Sequence, residues 1–229
     1  LKVSDEKINL ASAVAGKEKL IIEKSTADSF SLYVSIPFCP SRCSYCSFIS
    51  HSNEKAKKLI PEYVEKLCEE IEQTARIAKK LSLVLKSIYI GGGTPTAIDA
   101  LNLKRLTDCI RNNFDVQSAE EYTIEAGRPD SLDDDKFRVL MQSGCTRISI
   151  NPQTFNDKVL KVIGRNHDSA MTVEAMENAR NHGFGNINMD LIADLPEDTL
   201  ESFENTLNKA LSFNPENITV HTLALKRSS

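Results

Sequence analysis

Cys39-Pro40-Ser41-Arg42-Cys43-Ser44-Tyr45-Cys46 holds three of the chain's six cysteines at the spacing C-x3-C-x2-C. The residues before it, Leu32-Tyr33-Val34-Ser35-Ile36, alternate apolar with small or polar side chains, the pattern of a short strand. Pro37 brings no amide donor and stops the ladder, so the cysteines fall on a loop at that strand's C-terminal end. A loop can turn three thiolates toward one centre, which a straight strand or helix could not do. Thiolates suit soft metals, and a four-iron cluster takes four ligands. Three from the chain leave one iron for another ligand, the logic of an open catalytic metal site. Two plainer readings stand beside this one. A zinc site could recruit a fourth ligand, with His51 the nearest candidate, or the thiols could be unliganded and simply buried. If a metal is bound, the loop 38–51 is expected to owe its order to it.

Outward from that loop, 229 residues with 41% apolar side chains suit one large domain with a sizeable core. A net charge of −4 and a pI near 5.7 lack the footprint of a nucleic-acid binder. No apolar run reaches the length of a membrane span. Clustered cysteines point to metal chemistry in a reducing compartment, hence to the cytoplasm. Cys68, Cys109 and Cys145 are scattered and read as small buried hydrophobes. Residues 1–30 show no clear periodicity and read as a lead-in. The chain opens on Leu1 and ends on Lys226-Arg227-Ser228-Ser229, so an excerpt of a longer protein is expected, with residues 31–229 as its core domain.

Apolar spacing predicts a long helix over 59–85, then a strand at 87–90 that runs into Gly91-Gly92-Gly93-Thr94-Pro95. Helix 101–114 and strand 121–125 follow, then a helix with Ser131 as N-cap and Asp133, Asp134 and Asp135 in its first turn. Strands at 146–150, 185–192 and 218–223 alternate with helices at 156–163, 169–182 and 199–213. Six strands alternating with helices imply a parallel sheet with right-handed crossovers. The expected fold is α/β, a partial (β/α)6 TIM-like barrel, with an open α/β sheet as the alternative. Chemistry in such barrels sits at the C-terminal strand ends. Those ends carry the cysteine loop, Gly91–Thr94, Glu125, Gln153, Asp190 and His221.

Each strand end suggests a use. Glycine removes the Cβ and lets backbone approach a small zwitterion, although such runs are also plain turns. Glu125 could accept from an amine or hydroxyl, or be a solvated terminus. Gln153 offers a donor and an acceptor, and Arg165 could clamp a carboxylate. Asp190 lies among apolar neighbours, where an unpaired carboxylate is costly, which favours function. His221 is balanced between ligand contact and core hydrogen bonding. His167 and His182 read as structural or surface residues.

C-x3-C-x2-C with Tyr45 before the last cysteine resembles the signature of radical S-adenosylmethionine (SAM) enzymes. The phrases Tyr33–Cys39, Gly91–Pro95, Ile163–Arg165 and Asp190–Ile192 resemble the oxygen-independent coproporphyrinogen III oxidases (dehydrogenases) and their haem-chaperone relatives. Ser149–Phe155 and Thr219–Ala224 look most like the coproporphyrinogen dehydrogenases of Gram-positive bacteria. The resemblance runs from about residue 31 to the end, and implies a partial (β/α)6 barrel. It implies a 4Fe-4S cluster on Cys39, Cys43 and Cys46, with SAM chelating the fourth iron through its amino and carboxylate groups. Tyr33, Tyr45, Gly92, Gly93, Thr94, Glu125, Gln153, Arg165 and Asp190 match positions that contact SAM in the family. The implied reaction begins with one electron from the cluster, which cleaves SAM. The 5′-deoxyadenosyl radical takes a hydrogen from a coproporphyrinogen propionate, and loss of CO2 and a second electron leaves a vinyl group. The implied partners are a tetrapyrrole substrate or haem, and an electron donor such as flavodoxin or ferredoxin. Phe48 stands where the oxidases proper carry a further cysteine, as it is also missing in the chaperone relatives, so a haem-binding chaperone is the alternative.

Overall fold

The computed structural model describes residues 3–48 and 54–223; His51 and Ala224–Ser229 lie outside the described residues. Six strands form one open sheet in chain order: β1 (Ser29–Ile36), β2 (Val84–Gly92), β3 (Glu121–Glu125), β4 (Arg147–Gln153), β5 (Ile187–Ala193) and β6 (Asn217–Thr222). Every neighbouring pair is parallel. Parallel neighbours need crossovers, and these are helical. The short α2 (Glu54–Lys57) and α3 (Ile60–Lys80) join β1 to β2, and α4 (Ala100–Asn113) joins β2 to β3. Then α5 (Asp134–Gln142) leads to β4, α6 (Asp157–Val162) and α7 (Ser169–Asn181) to β5, and α8 (Leu200–Ser212) to β6. Strands β1 and β6 are the two edges, so the architecture is the partial barrel expected, opened between them.

The sheet's two faces are chemically opposite. Ile36, Ile88, Ile90, Ile124, Ile148, Ile150 and Met189 pack outward with helix residues Leu103, Leu106, Ile110, Phe137, Leu140 and Ala179 in one core. Each such burial contributes roughly 1.5–3 kcal/mol. The alternating positions, Tyr33, Tyr89, Thr123, Ser149, Asn188 and Asp190 among them, face the other way. These polar groups bond to one another. Asn188 donates to Ser149 Oγ and to Asp190 Oδ1, both at 2.7 Å, and Thr219 donates to Asn188 Oδ1 at 3.0 Å. A barrel lined this way is built to hold something polar at its mouth, because a satisfied polar wall costs little to bury.

Local differences from the sequence reading have physical causes. α3 buries Ile60, Val64, Cys68, Ile71 and Ala78 on one stripe, as its spacing predicts, but stops at Lys80. Ser82 then takes φ 54°, and Val84 and Leu85, apolar enough for either period, enter β2, which starts three residues early. Ser131 is not the cap of α5. Pro129–Ser131 first makes a single 3-10 turn, with Ser131 Oγ donating to Arg128 O at 2.7 Å. Asp133 is the cap instead, accepting from Lys136 N at 2.8 Å. The lead-in contains an element that periodicity does not reveal: α1 (Asp5–Ile22), capped by Ser4, with no buried residue. A helix without a buried stripe leaves no amphipathic signature.

Candidate functional site

At the C-terminal ends of the strands lies a cavity of about 410 Å3. Cys39, Cys43 and Cys46 line it, and so do Tyr33, Tyr45, Gly92, Gly93, Thr94, Glu125, Gln153, Arg165 and Asp190. The structure therefore brings every candidate site residue to one place, with His221 on the same wall. A larger groove, about 710 Å3, runs outside α7 and α8, with Glu201 and Lys209 as its charged side chains. It gathers no reactive groups, and the chemistry lies in the smaller cavity.

The loop is fastened from two sides. Ser44 N donates to Ile163 O at 3.0 Å, and Ser41 Oγ to Gly164 O at 2.8 Å. Gly93 N and Thr94 N donate to Ile36 O and Phe38 O at 2.7 and 2.8 Å. The Thr94 hydroxyl lies 3.4 Å from Cys39 Sγ. Protein contacts thus reach Phe38–Cys46, while residues 49–51 of the loop 38–51 lie outside the described residues. The glycine run is what lets the loop sit so close. A Cβ on Gly93 would stand 2.7 Å from Phe38 O and 2.9 Å from Cys39 Sγ, and Gly92 takes φ +106°.

Cys43 is buried, and Cys39 and Cys46 are half-buried. Among the described residues, no three His, Cys, Asp or Glu side chains come close enough to hold a single metal ion. A four-iron cube needs no such convergence, since each thiolate binds a different iron at a different corner. Three thiolates around one cavity wall suit the cube.

Two further groups fit a bound zwitterion. Arg165 donates Nη1 to Gly127 O (3.2 Å) and Asn151 O (3.4 Å), and Nη2 to Tyr45 Oη (3.0 Å). Its Nε is closed off without a partner, as is Gln153 Oε1. Buried polar atoms left unpaired cost about 1–3 kcal/mol each, so a ligand that satisfies them gains that much. Gln153 also takes φ 67° at a register shift in β4, a strained conformation for a residue with a side chain. Burial pushes the Tyr45 hydroxyl up to about 12, with the Arg165 charge opposing the rise.

Opposite, Tyr33 stacks on Tyr89 with centroids 6.0 Å apart, and Tyr89 Oη donates to Glu125 Oε1 at 2.5 Å. Burial raises the Glu125 carboxyl above its ordinary range; the Tyr89 hydrogen bond opposes that, and Asp190 adds to it. Tyr89 has no place in the sequence reading, although its alternation with Gly91 on β2 puts it on the inner face. Arg128 and Asp130 are also missing from it. A charged pair straddling Pro129 just past a strand's C-terminal end is the signal that could have found them. His167, read as structural or surface, is 2% exposed and stands behind that pair.

The radical SAM superfamily family description matches residues 33–210. The chain is 36% identical over 230 aligned residues, 99% of its length, to the oxygen-independent coproporphyrinogen-III oxidase-like protein HemZ of Bacillus subtilis, covering 46% of that protein. It is 38% identical over 86% of its length to the haem chaperone HemW of the same organism, covering 51% of it. Among solved structures it resembles coproporphyrinogen III oxidase (HemN) from Escherichia coli, a radical SAM enzyme, with a TM-score of 0.75 and 32% identity over 85% of this chain and 44% of that one. The chain thus spans about half the length of the curated relatives it matches.

Proposed function

This chain belongs to the radical SAM superfamily, whose cofactors are a 4Fe-4S cluster and SAM, and within it we propose that it is the core of an enzyme acting on a tetrapyrrole. The observation that carries this is one cavity shared by three loop cysteines and the unpaired Arg165 Nε and Gln153 Oε1. In this reading Cys39, Cys43 and Cys46 hold three irons, and the backbone of Gly92–Thr94 with Arg165 and Asp190 holds the amino-acid end of SAM. Tyr33, Tyr45 and Gln153 hold its nucleoside end, and Glu125 meets a cationic group of SAM. When bound, cluster and SAM supply a one-electron cleavage that delivers a carbon-centred radical for hydrogen abstraction. The protein's own part is orientation and shielding. Ile192 and Leu223 add apolar side chains to the cavity lining, while the satisfied polar wall holds Asp190 in place through Asn188.

The proposed substrate is coproporphyrinogen III, and the proposed reaction the oxidative decarboxylation of its propionates. Support comes from the names of the HemZ and HemN relatives and from exposed rings at the mouth, Phe48 (65% exposed) and Tyr33 (58%), on which a macrocycle could lie. A flavodoxin or ferredoxin is the proposed electron donor, and the cytoplasm the proposed site of action. No described helix is long and apolar enough to cross a membrane. The test is anaerobic reconstitution of the full-length protein and assay of 5′-deoxyadenosine with and without coproporphyrinogen. Substrate-dependent 5′-deoxyadenosine and vinyl products are expected; cleavage indifferent to coproporphyrinogen would defeat the decarboxylase reading.

One observation favours the second reading, a haem chaperone. Phe48 puts a bulky, inert ring beside the cysteines where an oxidase would have a redox-active thiol, and the HemW relative shares more than a third of the aligned residues. Haem titration separates the two: stoichiometric haem binding without turnover would establish the chaperone.

A further inference from the structure

Arg128 follows β3 directly, in the turn Gly127-Arg128-Pro129-Asp130, and is 3% exposed. Its guanidinium is held on two sides. Nε and Nη2 donate to the two Asp130 carboxylate oxygens at 3.0 and 3.1 Å, a two-pronged ion pair. On the other side Nη2 donates to Ser41 Oγ at 2.9 Å, while Nη1 reaches Ser41 O at 3.4 Å and Cys43 Sγ at 3.7 Å. Ser41 Oγ spends its own proton on Gly164 O, so its lone pairs are set toward Arg128. Behind the pair, His167 Nδ1 stands 3.6 Å from Asp130 Oδ1. Burial works to raise the Asp130 carboxyl, but His167 and Arg128 outweigh it and hold it well below the usual carboxylate range. The ion pair is therefore charged on both sides. Nothing in the SAM-binding reading uses these groups. Among the described residues, Arg128 is the cation whose N–H reaches a loop sulfur.

We propose that Arg128, balanced by Asp130, is a positioning residue that sets the reduction potential of the cluster held by Cys39, Cys43 and Cys46. The inference rests on the cofactor reading above and extends it to residues outside the SAM contacts. Reduction adds one electron, and so one negative charge, to a thiolate-bound cluster. The electron comes from an external reductant, dithionite in the test below, which is oxidised as the cluster is reduced; no bond is made or broken. Cluster potentials respond to hydrogen bonds on the ligand sulfurs and to net charge nearby. An N–H donated to Cys43 by a cation favours the reduced, more negative state. Asp130 works against it, because a paired cation presents little net charge. The two residues should thus pull the potential in opposite directions, which a purely structural clamp would not do.

The test uses the full-length protein, reconstituted anaerobically, as wild type, Arg128→Met, Asp130→Asn and the double variant. Iron and sulfide are counted first, and each cluster is then titrated potentiometrically with the EPR signal of its reduced state as readout. At fixed poise, Arg128→Met should lower the reduced-to-oxidised ratio about tenfold, a shift of about 59 mV for one electron, since the sulfur loses its donor and Asp130 keeps only His167 beside it. Asp130→Asn should raise that ratio by a similar factor. The double variant, balanced in charge but without the N–H to sulfur, should fall below wild type by less than Arg128→Met. If Arg128→Met does not fold, the rise in Asp130→Asn and the fall in the double variant still decide the matter. Loaded variants that all shift the same way, or stay within twofold of wild type, overturn this proposal alone. A wild-type protein that takes up no iron overturns the cofactor reading and this proposal with it.

Discussion

The two walls of the cavity bury charge in opposite ways. On the wall made by β1–β3, Glu125 has, among the described residues, a single polar contact, the Tyr89 hydroxyl, and no cation beside it. On the wall made by the cysteine loop and the end of β4, two cations are each held by several acceptors. Arg128 has Asp130 and Ser41, and Arg165 has Gly127 O, Asn151 O and the Tyr45 hydroxyl. An acid short of positive charge thus shares the cavity with a guanidinium that has one N–H to spare. A ligand that is cationic at one point and anionic at another satisfies both walls, and SAM, with its ammonium, sulfonium and carboxylate, has that character. The acidic wall is unfinished without a ligand, whereas the cationic wall is largely complete within the protein.

Removing the centre of the complete wall should have the largest effect. Cys43→Ala leaves two thiolates and should abolish the cluster, where the wild type is expected to hold about four irons and four sulfides per chain. A Cys43→Ala protein that keeps full iron and sulfide would show that the loop is not the cluster site. Next come the groups that the ligand itself must satisfy. Arg165→Ala and Asp190→Asn should each weaken SAM binding by about tenfold or more, the loss of a charge-assisted hydrogen bond, at unchanged cluster content. Equal SAM affinity in wild type and both variants would remove these residues from the binding site.

That contrast also divides what the sequence discloses from what it hides. Strand order, the parallel sheet and the placing of Cys39, Gly92, Glu125, Gln153 and Asp190 in one cavity follow from period, strand ends and motif spacing, all local signals, whereas that of Arg165 follows from the family resemblance. Tyr89, Arg128 and Asp130 act through partners distant in the chain: Tyr89 and Glu125 are 36 residues apart, and Arg128 and Ser41 87. No local pattern encodes such a meeting. The N-cap of α5 failed for a related reason, since a proline-led turn moved the helix start two residues beyond a plausible serine.

The smallest expected effects are on the unfinished wall, where, among the described residues, a single hydroxyl is the only compensation. Tyr89→Phe removes the donor to Glu125 and should cost about 1 kcal/mol of stability, the net worth of one such bond. A variant as stable as wild type near neutral pH would mean that the bond contributes nothing.

Glu125→Gln then reads the same wall through pH. The ordinary value for this carboxyl is 4.5, and in the fold it is raised, chiefly by burial, with Asp190 adding to the rise and Tyr89 opposing it. A raised folded value means that the native state binds the proton more tightly than the unfolded chain. Below 4.5 both states are protonated and the group adds no pH dependence. Between 4.5 and the raised value the unfolded chain loses its proton first, so stability falls as pH rises; above the raised value the penalty is constant. Glutamine cannot ionise and carries no such penalty. Urea denaturation of the two proteins across this window should therefore show the variant gaining on wild type as pH increases, then holding a fixed margin. Adding SAM should shrink that margin for the reconstituted wild type, because a cationic ligand group supplies the partner that Glu125 lacks. A margin that is flat with pH, or that shrinks as pH rises without SAM, would mean that the acidic wall is already balanced and that its carboxylate does not wait for a cation.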